Sequence, residues 1–345
     1  MESAILVGTD ALDELRELAT SAGARVIDEV IQRRDRPDPA TYIGKGKVGE
    51  LREEILIEGV DVVIFDDELS PSQAKNLEEA LDTKVVDRTG LILDIFARRA
   101  RTKEGKLQVE LAQLSYTLTR LTGHREYLSR LGGGIGTRGP GETKLEMDRR
   151  QIRHRISMLK RDIEQIRKHR QLHRERRRRD QLPLVSLVGY TNAGKSTLFR
   201  ALSHEDTLVS SRLFSTLDTL IRRIRLGRNV PVLISDTVGF IKKLPHQLVS
   251  AFRATLEEVV EADLILHVID VSDPDHEEKR EVVLDVLKEI GAGGHPMLTV
   301  YNKVDLVPQE SVPDLPDGLL VSATTGDGLE RLVQEILHRV SPVTV

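Results

Sequence analysis

Gly189, Tyr190, Thr191, Asn192, Ala193, Gly194, Lys195 and Ser196 match the spacing GxxxxGK[ST] at every fixed position. That spacing suits polyphosphate binding. The glycines let successive backbone N–H groups turn inward onto phosphate oxygens, Lys195 brings a positive charge to the transferred phosphate, and the Ser196 hydroxyl is placed to hold Mg²⁺. A Gly-rich turn is the competing reading. It is disfavoured because an apolar run (184–188) precedes the motif and a helix-forming run starting at Thr197 follows it.

Four further groups follow in the order that a nucleotide switch requires. In Phe214-Ser215-Thr216-Leu217-Asp218, read as a polar, mobile stretch, a threonine can close on the γ-phosphate and give Mg²⁺ a second hydroxyl; Thr216 is the choice and Thr219 the competitor. In Asp236-Thr237-Val238-Gly239, Asp236 can hold Mg²⁺ through water while the Gly239 N–H senses the γ-phosphate. Asn302-Lys303-Val304-Asp305 bears on the base. The Asp305 carboxylate can accept from guanine N1–H and the N2 amine, a donor pair that adenine lacks; the Lys303 stem can cover the ring, and Asn302 can tie this loop to the phosphate loop. Ser322-Ala323-Thr324 can offer backbone N–H groups to guanine O6. The catalytic roles therefore fall to Lys195, Thr216 and Gly239, the metal to Ser196 and Thr216, and the ligands are GTP or GDP with Mg²⁺. Many hydrolysing switches carry a water-orienting glutamine after the glycine. Here the residue is Phe240, which predicts slow hydrolysis by the chain alone and stimulation by a partner.

The elements that must position these groups are α/β throughout. The chain reads as three parts: a small parallel α/β recognition domain (1–104), an antiparallel helical hairpin with a glycine-rich tip and a basic arm (105–181), and a P-loop GTPase domain (182–345) whose mostly parallel sheet carries one antiparallel strand. In the first part, 4–7, 25–31, 61–65 and 84–86 read as strands, 11–22 and 47–58 as helices, and Ser70 with Pro71 as a helix start. The segment from Tyr42 to Lys47 reads as a flexible basic loop, either a surface turn or a phosphate contact. Leu107, Leu111, Leu114, Leu118 and Leu121 form one helical stripe; Ile152, Ile156, Leu159, Ile163 and Ile166 form its natural packing partner. The glycine-rich run from Gly132 to Gly141 between them reads equally as a plain connector or as a tip for close backbone approach to a large partner.

The net charge of −4 over 345 residues conceals a local excess: 149–179 holds fourteen Lys and Arg against three Asp and Glu. Such an arm favours a nucleic-acid backbone over a merely solvated helix end. His169 and His173 stand at a metal-pair spacing, but with no third ligand in view they are not read as a site. The absence of cysteine excludes disulfides and thiolate chemistry, and no apolar run is long enough to span a membrane, so the expectation is a cytoplasmic monomer.

Taken together, the phosphate loop, the order of the three parts and above all Gly132-Gly133-Gly134-Ile135-Gly136-Thr137-Arg138-Gly139-Pro140-Gly141-Glu142-Thr143 resemble the HflX family, in the Obg–HflX group of translation-factor-related P-loop GTPases; Lys144 stands where the family pattern has glutamine. The resemblance implies a GTPase that associates with the large ribosomal subunit and rRNA, splits or rescues stalled ribosomes, and has ATP hydrolysis as a side activity. Asn192 also resembles the asparagine that potassium-dependent GTPases use, which implies K⁺ stimulation. A GTP-gated scaffold acting on a protein partner is the alternative function. A metabolic phosphotransferase is disfavoured, because no acceptor-pocket motif is visible.

Overall fold

The computed structural model describes residues 1–33, 36–131, 140–179, 182–203, 213–214, 216–217, 219–227, 229–243, 256–308 and 318–340; for 122–131, 140–145 and 172–179 the description is of the backbone only. It divides into two compact units, Met1–Arg98 with Lys106–Glu164, and Arg99–Gly105 with Gln165–Val345.

The first unit is built on a four-stranded parallel sheet in the order β2-β1-β3-β4, formed by β1 (Ser3–Gly8), β2 (Arg25–Ile31), β3 (Val62–Phe65) and β4 (Lys84–Asp87). β1 and β3 are buried along their whole length, as expected of central parallel strands covered on both faces. Ile5, Val7, Val63 and Phe65 pack with Leu51, Leu77 and Leu81 from α2 (Lys45–Glu58) and α3 (Pro71–Leu81). Each such side chain contributes roughly 1.5–3 kcal/mol by leaving water. α3 starts where the sequence said it should: the Ser70 hydroxyl accepts from Gln73 N–H, and the Gln73 side chain answers to Ser70 N–H. The segment expected to be a flexible loop is a pinned turn. Tyr42 (φ +63°) and Ile43 are buried, the Tyr42 hydroxyl bonds Asp67, Gly44 N–H donates to Gln32, and Lys45 to Lys47 already belong to α2.

α1 (Asp13–Ser21) follows the sequence expectation, whereas α4 (Arg88–Arg99) was not anticipated. α4 buries Leu91, Ile92, Leu93, Ile95 and Phe96 and leaves a narrow exposed face at Asp94, Ala97 and Arg98. The two long helices are α5 (Lys103–Leu131) and α6 (Pro140–Arg179). The leucine stripe of α5 is half-buried, Leu159 of α6 is fully buried, and Arg155 forks onto Glu110 with bonds of 2.7 and 2.9 Å. Asp87, at the end of β4, accepts from Tyr116 Oη at 2.6 Å and also from Arg120, fastening α5 to the sheet. The glycine-rich residues 132–139, Arg138 among them, lie outside the described residues.

The second unit carries a six-stranded sheet in the order β10-β9-β8-β5-β7-β6. These strands are β5 (Leu184–Gly189), β6 (Leu220–Leu226), β7 (Val230–Asp236), β8 (Leu264–Asp270), β9 (Met297–Asn302) and β10 (Gly318–Leu320). All pairings are parallel except the β6–β7 hairpin, which places the single antiparallel strand at the edge. Exposed Arg222, Arg223 and Arg225 guard that edge. One face packs α7 (Lys195–Ser203) and α9 (Leu329–Val340) through Leu198, Phe199, Leu202, Leu332 and Ile336. α8 (His276–Glu289) buries Val283 and Leu287 against β5 and β8. The carboxyl ends of β5, β7, β8 and β9 therefore present Gly189, Asp236, Asp270 and Asn302 at one rim, where ligands bind in open α/β sheets. At the start of this unit's share of the basic helix, Arg167 lies 2.9 Å from Glu257 and Arg170 lies 2.6 Å from Glu104, which neutralises part of its charge.

Candidate functional site

The phosphate loop turns on two glycines with no room for a side chain. Gly189 (φ +154°) would drive a Cβ to 2.2 Å from the Val268 carbonyl oxygen, and Gly194 (φ +91°) would drive one to 2.2 Å from Asn302 Nδ2. Asn192 is exposed at the apex in the left-handed region (φ +63°), and Ala193 is buried beneath it. Lys195 is the first residue of α7. Its ammonium is buried and donates to the carbonyls of Gly189 (3.0 Å) and Tyr190 (2.6 Å). Burial pushes its pKa down to about 8, opposed by the nearby Asp236 carboxylate.

Three oxygens from distant parts of the sequence converge beside it. Ser196 Oγ lies 2.6 Å from Asp236 Oδ2, Thr216 Oγ1 lies 2.8 Å from the same oxygen, and the two hydroxyls are 2.8 Å apart. Thr216 is thus the threonine whose hydroxyl meets Ser196 and Asp236. Asp236 is 1% exposed, its pKa is raised by burial against the pull of Ser196, Lys195 and Thr216, and its Oδ1 is a buried acceptor with no hydrogen bond. A set of hard oxygens with one acceptor still unsatisfied fits Mg²⁺. Among the described residues, no group of three or more His, Cys, Asp or Glu forms another candidate metal site.

The flanks of Thr216 correct the expected polar, mobile stretch. Leu213, Phe214 and Leu217 are buried, so the segment is anchored by its apolar residues; Ser215 and Asp218 lie outside the described residues. After Asp236, Thr237 is buried and donates to the Leu187 carbonyl at 2.6 Å, and Val238 is buried. Gly239 approaches the phosphate loop so closely that a Cβ would meet Thr191 Cα at 2.9 Å and Lys195 Nζ at 3.0 Å. Phe240 is 2% exposed, and its backbone bridges Tyr190: Thr191 N–H donates to Phe240 O (2.7 Å) and Phe240 N–H to Gly189 O (3.1 Å). The Tyr190 hydroxyl accepts from Lys242 N–H at 2.7 Å, a tie that the sequence did not suggest.

At the other end of the rim, buried Asn302 joins two loops. Its Nδ2 donates to Ala193 O (2.9 Å), and its Oδ1 accepts from Ala323 N–H (3.0 Å). Lys303 (φ +68°) sends its ammonium to Asp270 Oδ2 at 2.6 Å, a partner missed in the sequence because it lies on another strand. Val304 and Asp305 begin a 3₁₀ turn, with Asp305 exposed. Ser322 is buried, its Oγ accepts from Thr325 N–H, and Thr324 is exposed beside Ala323. The second unit thus brings the phosphate-side and base-side groups to one edge of its sheet.

Comparison with known proteins agrees with this geometry. Family models match as a GTP-binding GTPase N-terminal region (residues 9–97), a GTP-binding GTPase middle region (99–177) and a 50S ribosome-binding GTPase (184–303). The chain is 55% identical over 328 residues to the GTPase HflX of Caldanaerobacter subterraneus, covering 95% of this chain and 76% of that one. It is 46% identical over 337 residues to the GTPase HflX of Escherichia coli, covering 96% and 79%. A GTP-binding protein of Sulfolobus solfataricus, solved in complex with GDP, aligns at 25% identity over 99% of both chains with a TM-score of 0.52. Among the described residues no helix is long and apolar enough to cross a membrane. With that identity spread over nearly its whole length, the chain belongs to the HflX family of GTPases and is an enzyme that binds and hydrolyses GTP.

Proposed function

We propose that GTP hydrolysis in this protein gates its association with the large ribosomal subunit, that the basic stretch 149–179 supplies contacts to rRNA phosphates, and that the cycle serves to split or rescue stalled ribosomes. The observation that carries the gating is the meeting of Ser196, Thr216 and Asp236 within 2.8 Å of one another, beside Lys195. Three segments far apart in sequence share one cluster, so a ligand that engages it orders all of them together. The ribosomal partner is supported by the excess of fourteen basic over three acidic residues in 149–179 and by the family model for the nucleotide domain.

In this reading Lys195 stabilises charge on the β- and γ-phosphates, and the Gly239 N–H reports the γ-phosphate. Ser196 and Thr216 would hold Mg²⁺, assisted by Asp236, and a bound ion would supply charge neutralisation at the phosphate oxygens. Asp305 selects guanine, and the loop from Ser322 to Thr324 offers N–H groups to O6. Buried Phe240 has no group to orient water, so hydrolysis is slow until a partner orders the switch segments. Asn192, exposed at the loop apex, is the proposed ligand for K⁺; equal turnover in K⁺ and Na⁺ buffers would rule it out. The chain works as a cytoplasmic monomer, with ATP hydrolysis as a side activity.

Co-sedimentation with ribosomal subunits tests the function. A non-hydrolysable GTP analogue is expected to hold the protein on the large subunit, with GDP releasing it and a steep loss of binding as salt rises. Equal sedimentation in both nucleotides would remove the gating. For the base, Asp305→Asn is expected to move preference from guanosine to xanthosine nucleotides, read by competitive binding; unchanged preference would refute the role of Asp305.

A further inference from the structure

Lys303 leaves β9 in the left-handed region (φ +68°), and its ammonium ends 2.6 Å from Asp270 Oδ2. The carboxylate it meets is itself immobilised. Asp270 Oδ1 accepts from the Ser272 hydroxyl at 2.6 Å and from the Ser272 N–H at 3.1 Å, so one oxygen is spent on fixing the group and the other on the lysine. Strand register holds the same corner: Asp270 is the cross-strand partner of Asn302, and Val271 N–H donates to Asn302 O at 3.0 Å. The far end of the lysine stem also borders the phosphate loop, with Cε, the carbon that carries the ammonium, 4.0 Å from where a Cβ on Gly194 would stand. The stem is therefore held between the phosphate loop and a locked carboxylate, and both ends of the ion pair are largely buried, with side chains 23% and 16% exposed.

We infer that Asp270 is a positioning residue for nucleotide binding, acting through Lys303: it holds the lysine stem as a preformed apolar shelf for the face of the purine. This rests on 302–305 being the base subsite. A lysine that is free in solution loses several rotors on binding, and fixing it beforehand improves affinity by on the order of tenfold. A shelf touches the ring face, so it does not distinguish the edges of purines. Loss of Asp270 must weaken guanine and xanthine nucleotides alike, whereas Asp305→Asn exchanges one preference for the other.

Calorimetry of the full chain with GDP and Mg²⁺ tests this in wild type, Asp270→Asn, Lys303→Met and the double variant. Each single change is expected to raise Kd about tenfold, and the double change no further than either alone, because both remove the same anchor. In GTP turnover the loss falls on KM more than on kcat. Ser272→Ala, which frees the carboxylate without removing it, should shift Kd in the same direction by less, and it carries the test if Asp270→Asn fails to fold. Unchanged GDP affinity in Asp270→Asn, or losses that simply add in the double variant, would overturn the inference. If Asp305→Asn switches base preference while Asp270→Asn binds as wild type, this inference alone falls; if Asp305→Asn switches nothing, the base subsite falls with it.

Discussion

Gly194→Ala tests whether the phosphate and base sides of the site are mechanically joined. The added Cβ would stand 2.2 Å from Asn302 Nδ2, so the amide must retreat by more than an ångström to reach ordinary contact. Asn302 cannot do so and keep its bonds to Ala193 O at 2.9 Å and Ala323 N–H at 3.0 Å. Losing two buried hydrogen bonds costs about 2–3 kcal/mol, and an alanine at φ +91° adds roughly 1–2 kcal/mol of backbone strain. A loss of some ~3–5 kcal/mol should lower the melting midpoint of the nucleotide unit by on the order of 10 °C. Asn302→Ala removes the same two bonds but leaves space behind, so adding Gly194→Ala to it should cost only the strain. The double variant is therefore expected to be more stable than the sum of the singles by about 2 kcal/mol, measured by thermal and urea unfolding in a double-mutant cycle. If Gly194→Ala melts like wild type, or if the two losses add, the link through Asn302 is not what holds these loops together.

Two further changes address groups of different character. Burial first, then Arg280 and Lys195, lowers the His267 pKa to about 4, so between that value and its ordinary 6.5 the unfolded chain takes up a proton that the folded chain refuses. The associated stability is whole above about pH 6.5 and falls by ~3 kcal/mol as the pH drops to about 4. His267→Leu should flatten that part of the acid limb of urea midpoint against pH; an unchanged slope would refute it. Gly239→Ala would place a methyl group 3.0 Å from Lys195 Nζ and 2.9 Å from Thr191 Cα, so it should push the segment off the phosphate loop and lower kcat for GTP at least tenfold, with GDP affinity affected less; full turnover would show that the close approach is dispensable.

The parts of this site that were legible in the sequence are those where backbone shape dictates residue type at fixed spacing. Gly189, Gly194, Lys195 and Ser196 lie within one turn of chain, so their geometry is local. Asn302 to Asp305 stood out because they follow a short, mostly apolar strand, Met297 to Tyr301. Pairings that cross strands were not legible. The meeting of Lys303 with Asp270, 33 residues away, depends on the register of β8 against β9, which no local pattern encodes. α4 escaped because its exposed face, Asp94, Ala97 and Arg98, is narrow beside the nearly unbroken apolar run from Leu91 to Phe96, and the polar reading of 214–218 missed the burial of Phe214 and Leu217. His267 gave no signal at all: it occupies one position among the apolar residues Leu264 to Ile269 of a central strand.

The short bridge between Tyr190 and Phe240 bears on how fast this switch can reset. Its two amide bonds, 2.7 and 3.1 Å long, splice the chain after Gly239 onto the start of the phosphate loop, like a stitch between two hems. Any swing of that chain away from the loop must first unpick the stitch, so the exchange lifetime of the Phe240 amide proton times the release of the whole segment.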